Sequence, residues 1–177
     1  MTVLKMLTKA QEKYLQTIPK DKIAEIKPWD PLVKMAALKL INCIKSAVPM
    51  LEVFYSGASA LEISGQNDID ITIKCPLNDF GKYLPDLKIV LGEPDKIGKE
   101  NIRWEPIYFD GYEAEVYMTD PNSPVLQEHI KIFELLKNKS ALRQEYEQLK
   151  KECEGISYRE YQKKKYEFYN RIINLYE

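Results

Sequence analysis

Apolar residues in the first third of the chain recur first at helical and then at strand spacing. From Val3 to Ile18, Leu4, Leu7, Tyr14, Leu15 and Ile18 fall on one helical face and Pro19 ends the pattern, which predicts a first helix. Asp30-Pro31 then places an N-cap acceptor before a proline suited to the first helical position. Behind it Leu32, Met35, Ala36, Leu40, Ile41 and Ile44 form the buried stripe of a second helix, closed by Pro49. Leu51 to Ser56, with Val, Phe and Tyr, predicts a short strand. A loop rich in Gly and Ser follows, and Asp68-Ile-Asp-Ile-Thr-Ile-Lys74 alternates as a half-buried strand does.

A helix is expected from about Asn78 to Val90. Beyond it, Ile102 to Phe109 and Tyr112 to Met118 flank Asp110-Gly111, a pair suited to a two-residue type I′ turn, so a β-hairpin is predicted. Pro106 has no amide hydrogen to give a ladder, which puts its strand at a sheet edge. From Pro121 onward only helical patterns remain, over about Ser123 to Leu136, Ser140 to Cys153 and Ser157 to Tyr176, with Ser140 and Ser157 as caps and Gly155 as a break. The expectation is an α+β protein in a single domain: N-terminal helices over about 1–50, a sheet core over 51–120 and C-terminal helices over 121–177.

Composition narrows the function classes. The chain has 177 residues, 45% hydrophobic and 30% charged, the balance of a water-soluble globular protein. Its longest mainly apolar stretch, Leu32 to Ile44, is broken by Lys34, Lys39 and Asn42, short of the roughly 20 apolar residues of a membrane span. Lys5, Lys9, Glu12 and Lys13 interrupt any leader-like apolar core. Cys43, Cys75 and Cys153 are an odd number without a CxxC, which argues against a disulfide framework or a thiolate zinc site and suits a reducing cytoplasm. With 26 basic and 27 acidic residues there is no electrostatic ground for nucleic-acid binding, and a nucleotide-sized or small phosphorylated partner is the expectation. The Lys163-Lys164-Lys165 run, flanked by Glu160 and Glu167, is expected to be a solvated helix face.

The chemistry concentrates in the middle third. On a strand Asp68, Asp70, Thr72 and Lys74 share one face and Ile69, Ile71 and Ile73 the other. Carboxylates two residues apart, roughly 7 Å between Cα atoms, leave room for a hard cation. A DxD alone reads more readily as the mouth of a solvated strand. The preceding Tyr55-Ser-Gly-Ala-Ser59 adds a glycine among small hydroxyl residues, either a plain turn or a loop that lets a phosphate approach backbone amides. Strict hairpin pairing from Asp110-Gly111 would put Trp104, Tyr108, Glu113, Glu115 and Tyr117 on one polar-aromatic face. Glu115 would then be the candidate third acid and Glu113 its competitor, with surface pairing to lysines the alternative for both.

Gly57-Ala-Ser59, a spacer, Asp68-Ile-Asp70 and a later strand acid resemble the nucleotidyltransferase signature of the DNA polymerase beta superfamily. The downstream residues His129, Phe133, Leu136, Leu142-Arg-Gln-Glu-Tyr146, Leu149-Lys150, Tyr161, Lys165 and Phe168 resemble the GrpB family within it. The resemblance spans about Phe54 to Ile172. It implies a mixed β-sheet flanked by helices, with the C-terminal helices walling a cleft above the aspartates. It also implies a magnesium (or manganese) site at Asp68, Asp70 and Glu115, with a nucleoside triphosphate held by Ser56, Gly57 and Ser59 and its base stacked on Trp104 or Tyr108. In that reading a nucleoside monophosphate passes to an acceptor the sequence does not name, and Glu115 completes the metal site or activates the acceptor hydroxyl. Against it stand a non-catalytic nucleotide- or phosphate-binding module on the same fold, a nucleotide-sugar DxD site that would need a larger nucleotide-binding domain, and an interaction protein built on the charged C-terminal helices.

Overall fold

Thr8 closes a capping box at the first helix, and the elements follow in the order the hydrophobic pattern predicts. In the computed structural model, which describes residues 7–176, the Thr8 hydroxyl accepts from the Gln11 amide while the Gln11 side chain accepts from the Thr8 amide, opening α1 (Lys9–Thr17). The expected start of this helix, at residues 3–6, lies outside the described residues. Helix α2 (Pro31–Ala47) begins where Asp30 accepts from the Leu32 amide at 2.9 Å. Its buried face is Val33, Ala36, Ala37, Leu40 and Ile44, whereas Leu32 and Met35 are exposed. The predicted stripe was therefore rotated by part of a turn, because Val33 and Ala37 continue the row through Leu40 and Ile44 more closely than Leu32 and Met35 do.

Strand β1 (Glu52–Ser56), the single turn α3 (Gly57–Ala60) and β2 (Ile69–Lys74) come next, then a 3₁₀ turn at Leu77–Asp79 and α4 (Phe80–Leu91). β3 (Lys96–Ile97) is too short to show alternation and was not anticipated. β4 (Asn101–Phe109) and β5 (Tyr112–Thr119) form the expected hairpin, with Asp110 and Gly111 both at positive φ in its turn. α5 (Pro124–Asn138), α6 (Ser140–Glu152) and α7 (Tyr158–Tyr176) complete the chain. Ser140 is not a cap: Lys139 holds that position, without a side-chain hydrogen bond to the helix.

The five strands lie in the order β1-β2-β5-β4-β3, with β2 and β5 parallel and every other pair antiparallel, so this is a mixed sheet. The fold is α+β, with helices flanking that sheet. The described residues fall into two compact units. One draws on residues 7–28, 64–66 and 131–176, the other on Trp29–Ile63 and Asn67–Ile130. In the second unit α2 and α4 cover one face of the sheet over a core that includes Leu40, Ile69, Ile71, Ile73, Val116 and Met118. In the first, α7 packs against α1 and α6, and Tyr161 is buried with Ala24 and Cys153. Among the described residues no helix is long and apolar enough to cross a membrane.

The hairpin departs from strict pairing at Pro106. Phe109, Tyr108 and Ile107 pair with Tyr112, Glu113 and Ala114 as expected, but a bulge follows and Trp104 pairs with Val116, not Tyr117. A proline cannot donate to the ladder, so the strand absorbs an extra residue there, and each side chain beyond the bulge changes face. β4 lies one strand in from the sheet edge, which β3 forms, and is not itself the edge as expected. β3 pairs only with Ile102 and Arg103, however, so alongside Pro106 the β4 backbone has no neighbour on that side.

Candidate carboxylate site

The site lies on the sheet face opposite α2 and α4, in the second unit. Ile69, Ile71 and Ile73 are buried in the core, so Asp70, Thr72 and Lys74 point the other way, with Asp68 immediately before the strand. Parallel pairing places Asp70 directly opposite Glu115, and antiparallel pairing places Ser56 opposite Asp70 on its other side. One row across three strands thus carries a hydroxyl and two carboxylates. Glu113 is exposed and pairs with Tyr108 at the hairpin end, two residues along β5 from that row.

The loop between β1 and β2 is shaped around Asp70. Gly57 has φ +82°, and a Cβ there would fall 2.0 Å from the Asp70 Oδ2 atom, so the carboxylate lies over a position only glycine leaves open. Ser56 is 1% exposed and its hydroxyl has no hydrogen-bond partner among the described residues. Ser59 is different: its hydroxyl accepts from the Tyr55 hydroxyl at 2.9 Å and donates to the Asp68 carbonyl at 2.6 Å. That side chain fastens the loop to the start of β2, and its hydroxyl is already engaged. Burial pushes the Tyr55 phenol up to about 12, with Asp70, Asp68 and Glu62 adding to the shift against the Ser59 hydrogen bond. It therefore stays protonated and donating.

Burial also raises the Glu115 carboxyl to about 9, reinforced by the charge of Asp70, the charge and hydrogen bond of Glu105, and the charge of Asp68. These causes favour its protonated form well above the usual carboxylate range. Glu105 is the residue that the sequence reading missed. The bulge sets Glu105 and Pro106 against Glu115, and Glu105 also pairs with Arg103 at 3.1 Å and donates its amide to Asp95 at 2.9 Å. Pro106 was the available signal, since a proline inside a strand marks a bulge as well as an edge. Strict alternation carried past it produced the error.

The same bulge removes Trp104 from the site. It is 1% exposed, packed in the sheet core, and its indole N–H donates to the Gly92 carbonyl at 2.9 Å, so it stacks on no ligand base. Tyr108 is 72% exposed beside Glu113. His129 makes an edge-to-face contact with Phe54, ring centroids 6.0 Å apart.

Among the described residues no three His, Cys, Asp or Glu side chains are already gathered at metal-ligand spacing. The donor chemistry nonetheless suits a hard divalent cation, because Asp68, Asp70 and Glu115 offer oxygen only.

A crystal structure of conserved protein GrpB from Enterococcus faecalis superposes with a TM-score of 0.61 at 14% identity, covering 86% of this chain and 99% of that one, a likeness that bears on fold alone. Two structures of Cid1 are more distant. One, described for its RNA terminal uridylyl transferase activity, has a TM-score of 0.45 at 14% identity and covers 77% of this chain and 45% of that one. The other, a Cid1 poly (U) polymerase with MgGTP bound, has a TM-score of 0.41 at 15% identity over 77% of this chain and 46% of that one. No curated protein matches. The family model described as GrpB protein matches residues 23–174, most of the sequence, and the chain belongs to that family.

Proposed function

We propose that the chain is a metal-dependent nucleotidyltransferase that transfers a nucleoside monophosphate from a nucleoside triphosphate to an acceptor. The observation that carries this is the row in which Asp70 stands between a buried, unpartnered Ser56 hydroxyl and a Glu115 whose carboxyl is pushed to about 9. Crowding carboxylates together in a half-buried place destabilises a fold, and such an arrangement persists where function needs it. Asp68, Asp70 and Glu115 would hold magnesium or manganese, which when bound supplies charge neutralisation and polarisation of the phosphoryl oxygens. Ser56 would donate its hydroxyl to a phosphate oxygen. Gly57, which has no Cβ to meet the Asp70 Oδ2 atom, would let that carboxylate keep its place against the loop. Ser59 holds Asp68 in place through the strand start. Glu115, a strong proton acceptor once ionised, would take the proton of the acceptor hydroxyl if it is not occupied as a ligand.

A non-catalytic nucleotide-binding module is the second reading. With Trp104 in the core and the Ser59 hydroxyl engaged, two expected ligand contacts are missing. The purified protein incubated with each common nucleoside triphosphate, with magnesium, manganese or chelator, distinguishes the two. The enzyme releases pyrophosphate only with cation, and Asp70→Asn abolishes release while leaving the fold intact. In a binding module Asp70→Asn leaves nucleotide affinity unchanged or improved. A wild type with neither cation-dependent nucleotide binding nor pyrophosphate release refutes the catalytic proposal.

A further inference from the structure

The helical unit buries two lysines among tyrosines. Lys150, on α6, is 4% exposed and donates to the Tyr161 hydroxyl at 2.9 Å, with its ammonium 5.0 Å from the Tyr146 ring centroid and 5.5 Å from that of Tyr161. Lys165, on α7, is half-buried, with its ammonium 5.6 Å from the ring of Tyr169, whose hydroxyl is hydrogen-bonded to that of Tyr146 at 2.9 Å. The two ammoniums thus face one tyrosine cluster from neighbouring helices.

Their neighbours on the same helices are neutralised: Lys151 pairs with Glu147, Lys163 with Glu167 and Lys164 with Glu160. Among the described residues, neither Lys150 nor Lys165 has a carboxylate at ion-pair distance. The phenols do not compensate, because burial pushes Tyr146 well above the ordinary tyrosine range and Tyr158 to about 12, so both are neutral at pH 7. Ring faces attract a cation but do not cancel its charge. The Tyr161 hydroxyl accepts from Lys150 and keeps its own hydrogen to donate. A lining of ammoniums and phenol hydrogens, with two positive charges and no anion, is complementary to an oxyanion of multiple charge.

We propose that this cluster binds a phosphate-type oxyanion, with the half-buried Lys165 and Tyr169 nearer the surface and the buried Lys150 as the deep charge. The anion is either inorganic phosphate in single or condensed form, or the polyphosphate of a nucleotide. The site uses no residue of the carboxylate row and stands or falls independently of the transferase proposal.

Calorimetric titration of the whole chain with inorganic tripolyphosphate, in chelator and at matched ionic strength, tests it. Saturable binding is expected in wild type and in Asp70→Asn. Lys165→Gln weakens it on the order of tenfold or more, the loss expected for one charge-assisted hydrogen bond. The double change Lys163→Gln with Lys164→Gln leaves it unchanged. A nucleoside triphosphate binding no more tightly than tripolyphosphate assigns the site to the bare anion, and tighter binding assigns it to a nucleotide. Should Lys165→Gln fail to fold, amine acylation of wild type read by mass spectrometry replaces it, with Lys165 protected by tripolyphosphate. Binding no stronger than the salt control, binding unchanged in Lys165→Gln, loss in the Lys163/Lys164 variant, or absence of Lys165 protection overturns the proposal.

Discussion

Gly57→Ala tests the geometry of the carboxylate site most directly, because the structure contains its own control. Gly57 and Gly111 have φ of +82° and +85°, so alanine at either carries the same left-handed backbone penalty, about 1–2 kcal/mol. At Gly111 the new methyl group meets nothing within 4 Å, whereas at Gly57 it falls 2.0 Å from the Asp70 Oδ2 atom and 3.0 Å from Cγ. The carboxylate must withdraw by about 1 Å to reach even a tight contact, an overpacking cost of about 1–3 kcal/mol beyond the backbone term. Urea denaturation should therefore show Gly57→Ala less stable than Gly111→Ala by that amount. Adding Asp70→Ala to Gly57→Ala should recover at least about 1 kcal/mol, since the clash needs both groups. If Asp70 holds the reacting assembly, a displacement of this size lowers cation-dependent pyrophosphate release on the order of 10²-fold, with Gly111→Ala unaffected. Equal stability and equal activity of the two alanine variants would refute the argument.

Glu115 makes stability depend on pH. Its folded-state value is raised from an ordinary 4.5 to about 9, so its contribution is fully present below the ordinary value and is lost as pH rises toward the folded one. Denaturation midpoints in chelator should fall between about pH 5 and 9, and Glu115→Gln should flatten that decline and be the more stable protein at pH 8. Ser59→Ala, which breaks the Tyr55–Ser59–Asp68 chain, should cost about 1–3 kcal/mol by leaving the half-buried Tyr55 hydroxyl without its acceptor, measured by urea titration. Trp104→Ala should cost about 3–5 kcal/mol and Tyr108→Ala less than about 0.5 kcal/mol, as burial in the core and exposure at the hairpin end dictate.

Local chemistry was legible wherever it acts within a few residues. The Asp30-Pro31 cap, the Asp110-Gly111 turn and the alternation that turns Ile69, Ile71 and Ile73 inward against Asp70 all depend on backbone geometry and near neighbours. The α+β class and the family followed from those elements and from the motifs spaced along them. What escaped was set by partners distant in sequence. Parallel pairing of β2 with β5 decides that Asp70 faces Glu115, and no residue of either strand encodes that register alone. The bulge at Pro106 exchanged Trp104 for Glu105 on the carboxylate face, because a single inserted residue reverses every side chain beyond it. The engagement of Ser59 by Tyr55 and the Asp68 carbonyl, the collision that reserves position 57 for glycine, and the shift that favours the protonated form of Glu115 arise only once the strands are side by side. Each depends on distances and on exclusion of water, which a linear sequence does not specify and tertiary packing does.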